Sequence, residues 1–126
     1  MLLLVLCSLF SFAAISNVDH EGICSQTTKV CATYHTDLPF SVGQEGRFAL
    51  YLQSNDSIEA TLVKADLWMQ MGTHGHGSSP LKITPTAPGE YDITKAFFVM
   101  KGAWQIRVTY KQGDVQETLI IPLVIK

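Results

Sequence analysis

The sequence has too little clustered charge and too short an apolar run for several broad classes of protein. Charged residues make up only 16% of the chain, and its nine Lys and Arg residues are spread along it. Surfaces that bind nucleic acid or anionic lipid carry a basic cluster, so we expect neither kind of partner. The apolar stretch from Leu2 to Ile15 is too short to span a bilayer comfortably.

Catalytic signatures are also missing. The chain contains no nucleophile elbow, no P-loop, no H-E-x-x-H motif and no dinucleotide fingerprint, and its Asp and Glu residues are scattered. We therefore expect a protein that is not an enzyme.

Cysteine is scarce, with three residues at Cys7, Cys24 and Cys31. Cys7 lies inside the N-terminal apolar run, which leaves Cys24 and Cys31 as a pair separated by a short polar stretch. In an oxidising compartment such a pair closes a small disulfide loop. A metal-binding or redox pair is the alternative, although the spacing is wider than that of a C-x-x-C redox motif.

The N-terminus has features of an export signal. Its apolar run ends near the small residues Ala13 and Ala14, although no Lys or Arg precedes the run. We interpret residues 1–16 as a secretory signal peptide or an N-terminal anchor, 17–40 as a segment holding the disulfide, and 41–126 as the folded domain. This organisation predicts a periplasmic or otherwise extracytoplasmic protein, either free or anchored to a membrane through its N-terminus.

The rest of the chain has a period of two, which is typical of β-strands. In Ala103–Lys111, apolar residues alternate with polar ones, and Ile58–Met69 places Val63 on the same parity as Leu67. Pro122 lacks an amide proton and puts the last strand at a sheet edge. Several short strands with regular turns predict an all-β protein, an immunoglobulin-like antiparallel β-sandwich of about seven strands.

The segment that could carry chemistry is Trp68–Gly77, WMQMGTHGHG. It holds two methionines, Met69 and Met71, and then two histidines, His74 and His76, among pliable glycines. If successive strands run in alternating directions, the loop 70–80 and the turn that contains Met100 lie at the same end of the sandwich. Met100 is therefore predicted to face the Met/His loop.

Thioether and imidazole side chains together favour copper. Thioether sulfur is a soft ligand that suits Cu(I) and is poor for Zn²⁺, Mg²⁺ or Ca²⁺, while a histidine pair can also hold Cu(II). The alternative for each methionine, Met69 above all, is simple core packing, and exposed histidines are often merely solvated. Trp68 and Trp104 are core or rim aromatics that could shield the copper from water.

These residues resemble the YtkA-like domain family and its FixH-like relatives. The resemblance rests on Trp68-Met69-Gln70-Met71-Gly72 with His74 to Gly77, on the Pro85–Tyr91 turn, and on Phe98–Trp104, and it covers roughly residues 40–125. It implies an immunoglobulin-like sandwich outside the bacterial cytoplasm, with a link to copper handling or cytochrome oxidase assembly. Carried over to this chain, it indicates Met69, Met71, His74, His76 and Met100 as copper ligands. Because Thr73 opens the usual Met-Gly-His spacing, the main histidine is either His74 or His76.

Two functions follow as expectations. The first is a copper chaperone or buffer that binds copper, passes it to a membrane protein such as an oxidase, and could form a metal-bridged homodimer. The second is a non-metal accessory module that docks on a membrane oxidase or another envelope protein, since a sandwich fold alone says nothing about a metal.

Overall fold

The computed structural model describes residues 22–126, which form an all-β fold of two antiparallel sheets. This confirms the predicted β-sandwich, with nine strands where about seven were expected. In chain order the strands are β1 (Gly22–Cys24), β2 (Val30–His35), β3 (Gly46–Ser54), β4 (Thr61–Met71), β5 (His74–Gly77), β6 (Lys82–Ala87), β7 (Glu90–Ala96), β8 (Gly102–Gln112) and β9 (Val115–Ile125). The predicted signal or anchor at 1–16 and Cys7 lie outside the described residues.

The strands divide into a five-stranded sheet in the order β1-β2-β3-β7-β6 and a four-stranded sheet in the order β5-β4-β8-β9. The edge position predicted for the last strand is confirmed, because among the strands of residues 22–126 β9 pairs only with β8. We call the end of the sandwich that carries the loops 36–45, 72–73 and 97–101 the tip. Residues 22–126 contain no helix with the length and apolar character needed to cross a membrane.

The core lies between the two sheets and follows the alternation of the sequence. In β8, Trp104, Ile106 and Val108 are buried and the residues between them are less so. In β4 the predicted parity holds for Leu67 but is wrong for Val63, which is 50% exposed. The register with β8 shifts between Leu62 and Lys64, and a bulge of this kind moves the residues before it to the opposite face.

The predicted disulfide is confirmed, and it joins the two strands at one edge of the five-stranded sheet. Cys24 of β1 and Cys31 of β2 lie directly opposite each other, with their Cα atoms 4.0 Å apart. Strands β1 and β2 belong to this sheet, so the sandwich already includes Gly22. The start of the folded domain that was predicted at residue 41 therefore lies inside the sandwich.

A cluster of polar side chains lies at the end of the sandwich opposite the tip. The Ser25 hydroxyl donates to Oε2 of Glu117 at 2.6 Å, and the hydroxyl of Tyr110 donates to the same oxygen. The Tyr110 hydroxyl also bonds to the Thr28 hydroxyl. These contacts connect the β1–β2 loop to β8 and β9. The hydrogen bonds from Ser25 and then Tyr110 lower the pKa of Glu117 below its usual value.

The lowered pKa predicts how stability depends on pH. Because the carboxylate titrates lower in the folded chain, it stabilises the fold above the unfolded-state pKa near 4.5, and this contribution is lost as pH falls through the folded value. Glu117→Gln should therefore lower the thermal midpoint at neutral pH by a few degrees, and the difference from wild type should shrink below about pH 4.5. Asp114→Asn, in the adjoining exposed turn, is the control, and equal pH profiles for all three chains would contradict the assignment.

Candidate metal centre

The Met/His segment forms a β-hairpin, and the open loop predicted for 70–80 is wrong in this respect. Strand β4 continues to Met71, and β5 pairs with it over His74–Gly77. The turn between them has two residues, Gly72 and Thr73, and Gly72 has a φ of 57°. A two-residue hairpin turn with glycine at positive φ in its first position matches the twist of the flanking strands. The histidines are thus held at fixed positions in a sheet.

The register of this hairpin brings the predicted ligands to one face of the four-stranded sheet. Met71 lies opposite His74, and Met69 lies opposite His76. Residues directly opposite in an antiparallel pair point to the same face, and so do residues two apart along one strand. All four side chains therefore share the inner face, and the two imidazole rings have their centres 6.1 Å apart. That separation lies within the reach of a single ion with metal–nitrogen bonds of about 2 Å.

The four residues differ in burial, and the exposure of their side chains increases from the core toward the solvent. Met69 is only 7% exposed, and its methyl lies so close to Gly102 that a Cβ there would come within 2.6 Å of it. Met71 is half-buried and packs against the core, while His74 and His76 are exposed. Met69 thus holds a core position, and the other three are open to an incoming ion.

Met100 lies at the same end as the hairpin. It belongs to the loop 97–101 at the tip, where it is 40% exposed, and its backbone carbonyl accepts a hydrogen bond of 2.9 Å from Nε1 of Trp104. Trp104 is buried and pairs with Met69 across β4 and β8. The Ser78 hydroxyl, just after β5, donates to the Phe97 carbonyl. Two hydrogen bonds therefore connect the Met100 loop to the sheet that carries the hairpin and to the segment just after it.

The two tryptophans predicted to shield the site lie on opposite faces of the sheet. Trp104 is on the inner face with Met69, whereas Trp68 is on the outer face, beneath the guanidinium of Arg107 at 4.3 Å from the ring centre. Its Nε1 donates to Oε1 of Gln70. The signal for this was in the sequence, since Trp68 is out of phase with Leu67 and Met69 in a strand of period two.

Sequence reasoning missed the outer-face residues that surround Trp68. Arg107 donates to both carboxylate oxygens of Asp66, at 2.6 and 3.0 Å, and Gln70 donates to the carbonyls of Gly72 and His74. The hydrogen bond to Asp66 raises the pKa of Arg107. Polar residues alternating with the core positions of a strand normally indicate only a solvated face, so the sequence did not single these out.

Elsewhere the described chain offers no alternative centre made of the commoner ligands. Among residues 22–126, the His, Cys, Asp and Glu side chains form no group of three or more that could hold a metal ion. The donors on the inner face of the hairpin are thioether sulfur and imidazole nitrogen. Because thioethers are soft and uncharged, such a donor set fits a soft ion such as Cu(I).

Comparison with known proteins gives one result. Among curated proteins and solved structures, none matches the chain. The model of the YtkA-like family matches residues 25–109, which is more than half of the chain and includes the hairpin and the Met100 loop. The chain therefore belongs to the YtkA-like family.

Proposed function

We propose that this protein binds copper outside the cytoplasm and acts as a copper chaperone or buffer. The observation that carries the proposal is the hairpin register, which sets Met71 opposite His74 and Met69 opposite His76 on one face of the sheet. Met100 adds a second accessible thioether at the same end, while Met69 lines this face from the core. Soft sulfur ligands beside imidazole favour Cu(I), and the two imidazoles also suit Cu(II).

The gradation of burial supports a carrier over a catalyst. His74 and His76 are exposed, Met71 is half-buried and Met69 is part of the core, so an ion would be held at the surface by residues that a partner can reach. An accessible site lets a partner displace the ligands one at a time and take the ion. A copper-receiving membrane protein, such as an oxidase, is the partner we propose.

Metal analysis and X-ray absorption on copper-loaded protein test the proposal. We expect one copper per chain, or one per two chains if the ion bridges a homodimer, with both sulfur and nitrogen in its first coordination sphere. Protein purified from copper-supplemented cells without bound copper, and unable to take up Cu(I), would instead support the non-metal docking module. Copper bound through nitrogen and oxygen alone would contradict the role of the methionines.

A further inference from the structure

We infer that the outer face of the four-stranded sheet carries a clasp, made of Asp66, Arg107, Trp68 and Gln70, that positions His74 and His76 for copper. These are positioning residues, because each lies on the opposite face from the proposed ligands. The inference rests on the proposed function, and it adds residues that act on the site through the backbone of β5.

The clasp begins on β8 and crosses to β4. Arg107 is fixed by two hydrogen bonds to Asp66, and this holds its guanidinium 4.3 Å from the centre of the Trp68 ring. A guanidinium over an indole is a favourable cation–π arrangement. The guanidinium therefore holds one face of the Trp68 ring in place.

From β4 the clasp reaches β5 in two ways. The indole lies over the backbone of Gly75, where an added Cβ would be only 2.5 Å from Nε1 of Trp68 and 2.6 Å from the Met69 carbonyl oxygen. The side chain of Gln70 accepts from Trp68 at 3.2 Å and donates to the carbonyls of Gly72, at 3.0 Å, and His74, at 3.4 Å. These contacts hold β5 against β4 at Gly75, between the two histidines, and at His74 itself, and they also fix the turn at Gly72.

The hairpin needs this support because of its composition. Its glycines lose more backbone entropy on ordering than other residues do, and β5 has four residues and pairs only with β4 among the strands that the structure describes. Gly75 cannot be exchanged for a residue with a side chain, because the indole of Trp68 and the Met69 carbonyl oxygen occupy that space. The H-G-H spacing thus places the two imidazoles on the inner face of the sheet and leaves room for the indole of Trp68 on the outer face.

The test uses Trp68→Ala and Gly75→Ala, with Gly77→Ala as the matched control. A Cβ at Gly77 would lie 3.9 Å from the indole, an ordinary contact, so that variant should behave as wild type. In metal-free protein, amide hydrogen exchange across 70–77 should accelerate at least about tenfold in the first two variants and not in the control. Their Cu(I) affinity should fall about tenfold, the lower end of what loss of a supporting contact costs a metal site.

Trp68→Phe separates positioning from folding. The phenyl ring keeps the stacking on Arg107 and loses the N–H to Gln70, so exchange and affinity should lie between those of wild type and Trp68→Ala. Unchanged exchange in Trp68→Ala would overturn the clasp. Faster exchange with unchanged Cu(I) affinity, in a protein whose affinity does fall on replacing Met71 and His74, would overturn its positioning role and leave the proposed function intact. A wild-type chain that binds no copper would overturn the proposed function instead.

Discussion

Replacing Met71 by Leu and His74 by Gln in one chain should weaken Cu(I) binding at least about one hundredfold, or about 2.7 kcal/mol. The two residues lie directly opposite each other in the hairpin and are the pair that combines an accessible thioether with an accessible imidazole. Loss of a residue that merely supports a ligand costs about 10- to 100-fold in affinity, so loss of two ligands should reach at least the upper end. Anaerobic titration against a chromogenic Cu(I) chelator measures the change.

Met69→Leu is the control for this result, because Met69 is buried. A Leu of similar volume at a core position costs less than about 1.5 kcal/mol of folding free energy, and we expect copper affinity to change much less than in the double variant. A loss of Cu(I) affinity in Met69→Leu as large as in the double variant would indicate that copper binds deeper in the fold, near Gly102. An unchanged Cu(I) affinity in the double variant would contradict the proposal that the hairpin supplies copper ligands.

Trp104→Ala should give the largest loss of stability among single substitutions, about 3–5 kcal/mol. Its side chain is 1% exposed, packs edge-on against Phe98 with ring centres 5.2 Å apart, and holds the Met100 carbonyl. A domain of this size has a total stability of only about 5–15 kcal/mol, so this variant will be close to unfolding at ambient temperature. Urea denaturation followed by circular dichroism gives the free energy.

Trp104→Phe keeps the prediction testable if the alanine variant does not fold. It preserves an aromatic ring in the core and removes only the N–H donated to Met100, whose carbonyl can turn to water at the exposed tip. The expected loss is about 1 kcal/mol for the hydrogen bond, plus the cost of the smaller ring. A Trp104→Ala variant as stable as wild type would contradict the burial seen in the structure.

Much of the fold could be predicted because a strand with one buried face alternates apolar and polar residues along its sequence. The alternation in Ala103–Lys111 matches β8 closely, and Pro122 correctly indicated an edge strand. The disulfide between Cys24 and Cys31 was predicted from their pairing in the sequence and the expectation of an oxidising compartment. Counting strands up and down was also enough to bring the Met100 turn and the Met/His segment to one end, since parity does not depend on which strands pair.

The features that the sequence did not predict have a common cause. The local pattern of apolar and polar residues does not reveal where a strand changes register or which strand it pairs with. The bulge between Leu62 and Lys64 reversed the face of Val63, although the alternation before and after it looks continuous. Strand β5 was invisible because its glycines suggest a flexible loop, and only pairing with β4 makes His74–Gly77 a strand. The role of Gly75 emerges only once the indole of Trp68 is placed over it.

The direction of the last strand has a practical consequence. Strand β9 runs toward the tip and ends with Ile125 opposite Gly102. A polypeptide fused after Lys126 therefore starts at the end of the sandwich where the hairpin presents its imidazoles, with β8 and β4 between β9 and β5. A polyhistidine tag at this terminus would bring competing nitrogen donors to the same end as the proposed centre, whereas a tag inserted into the 113–114 turn would lie at the opposite end of the sandwich.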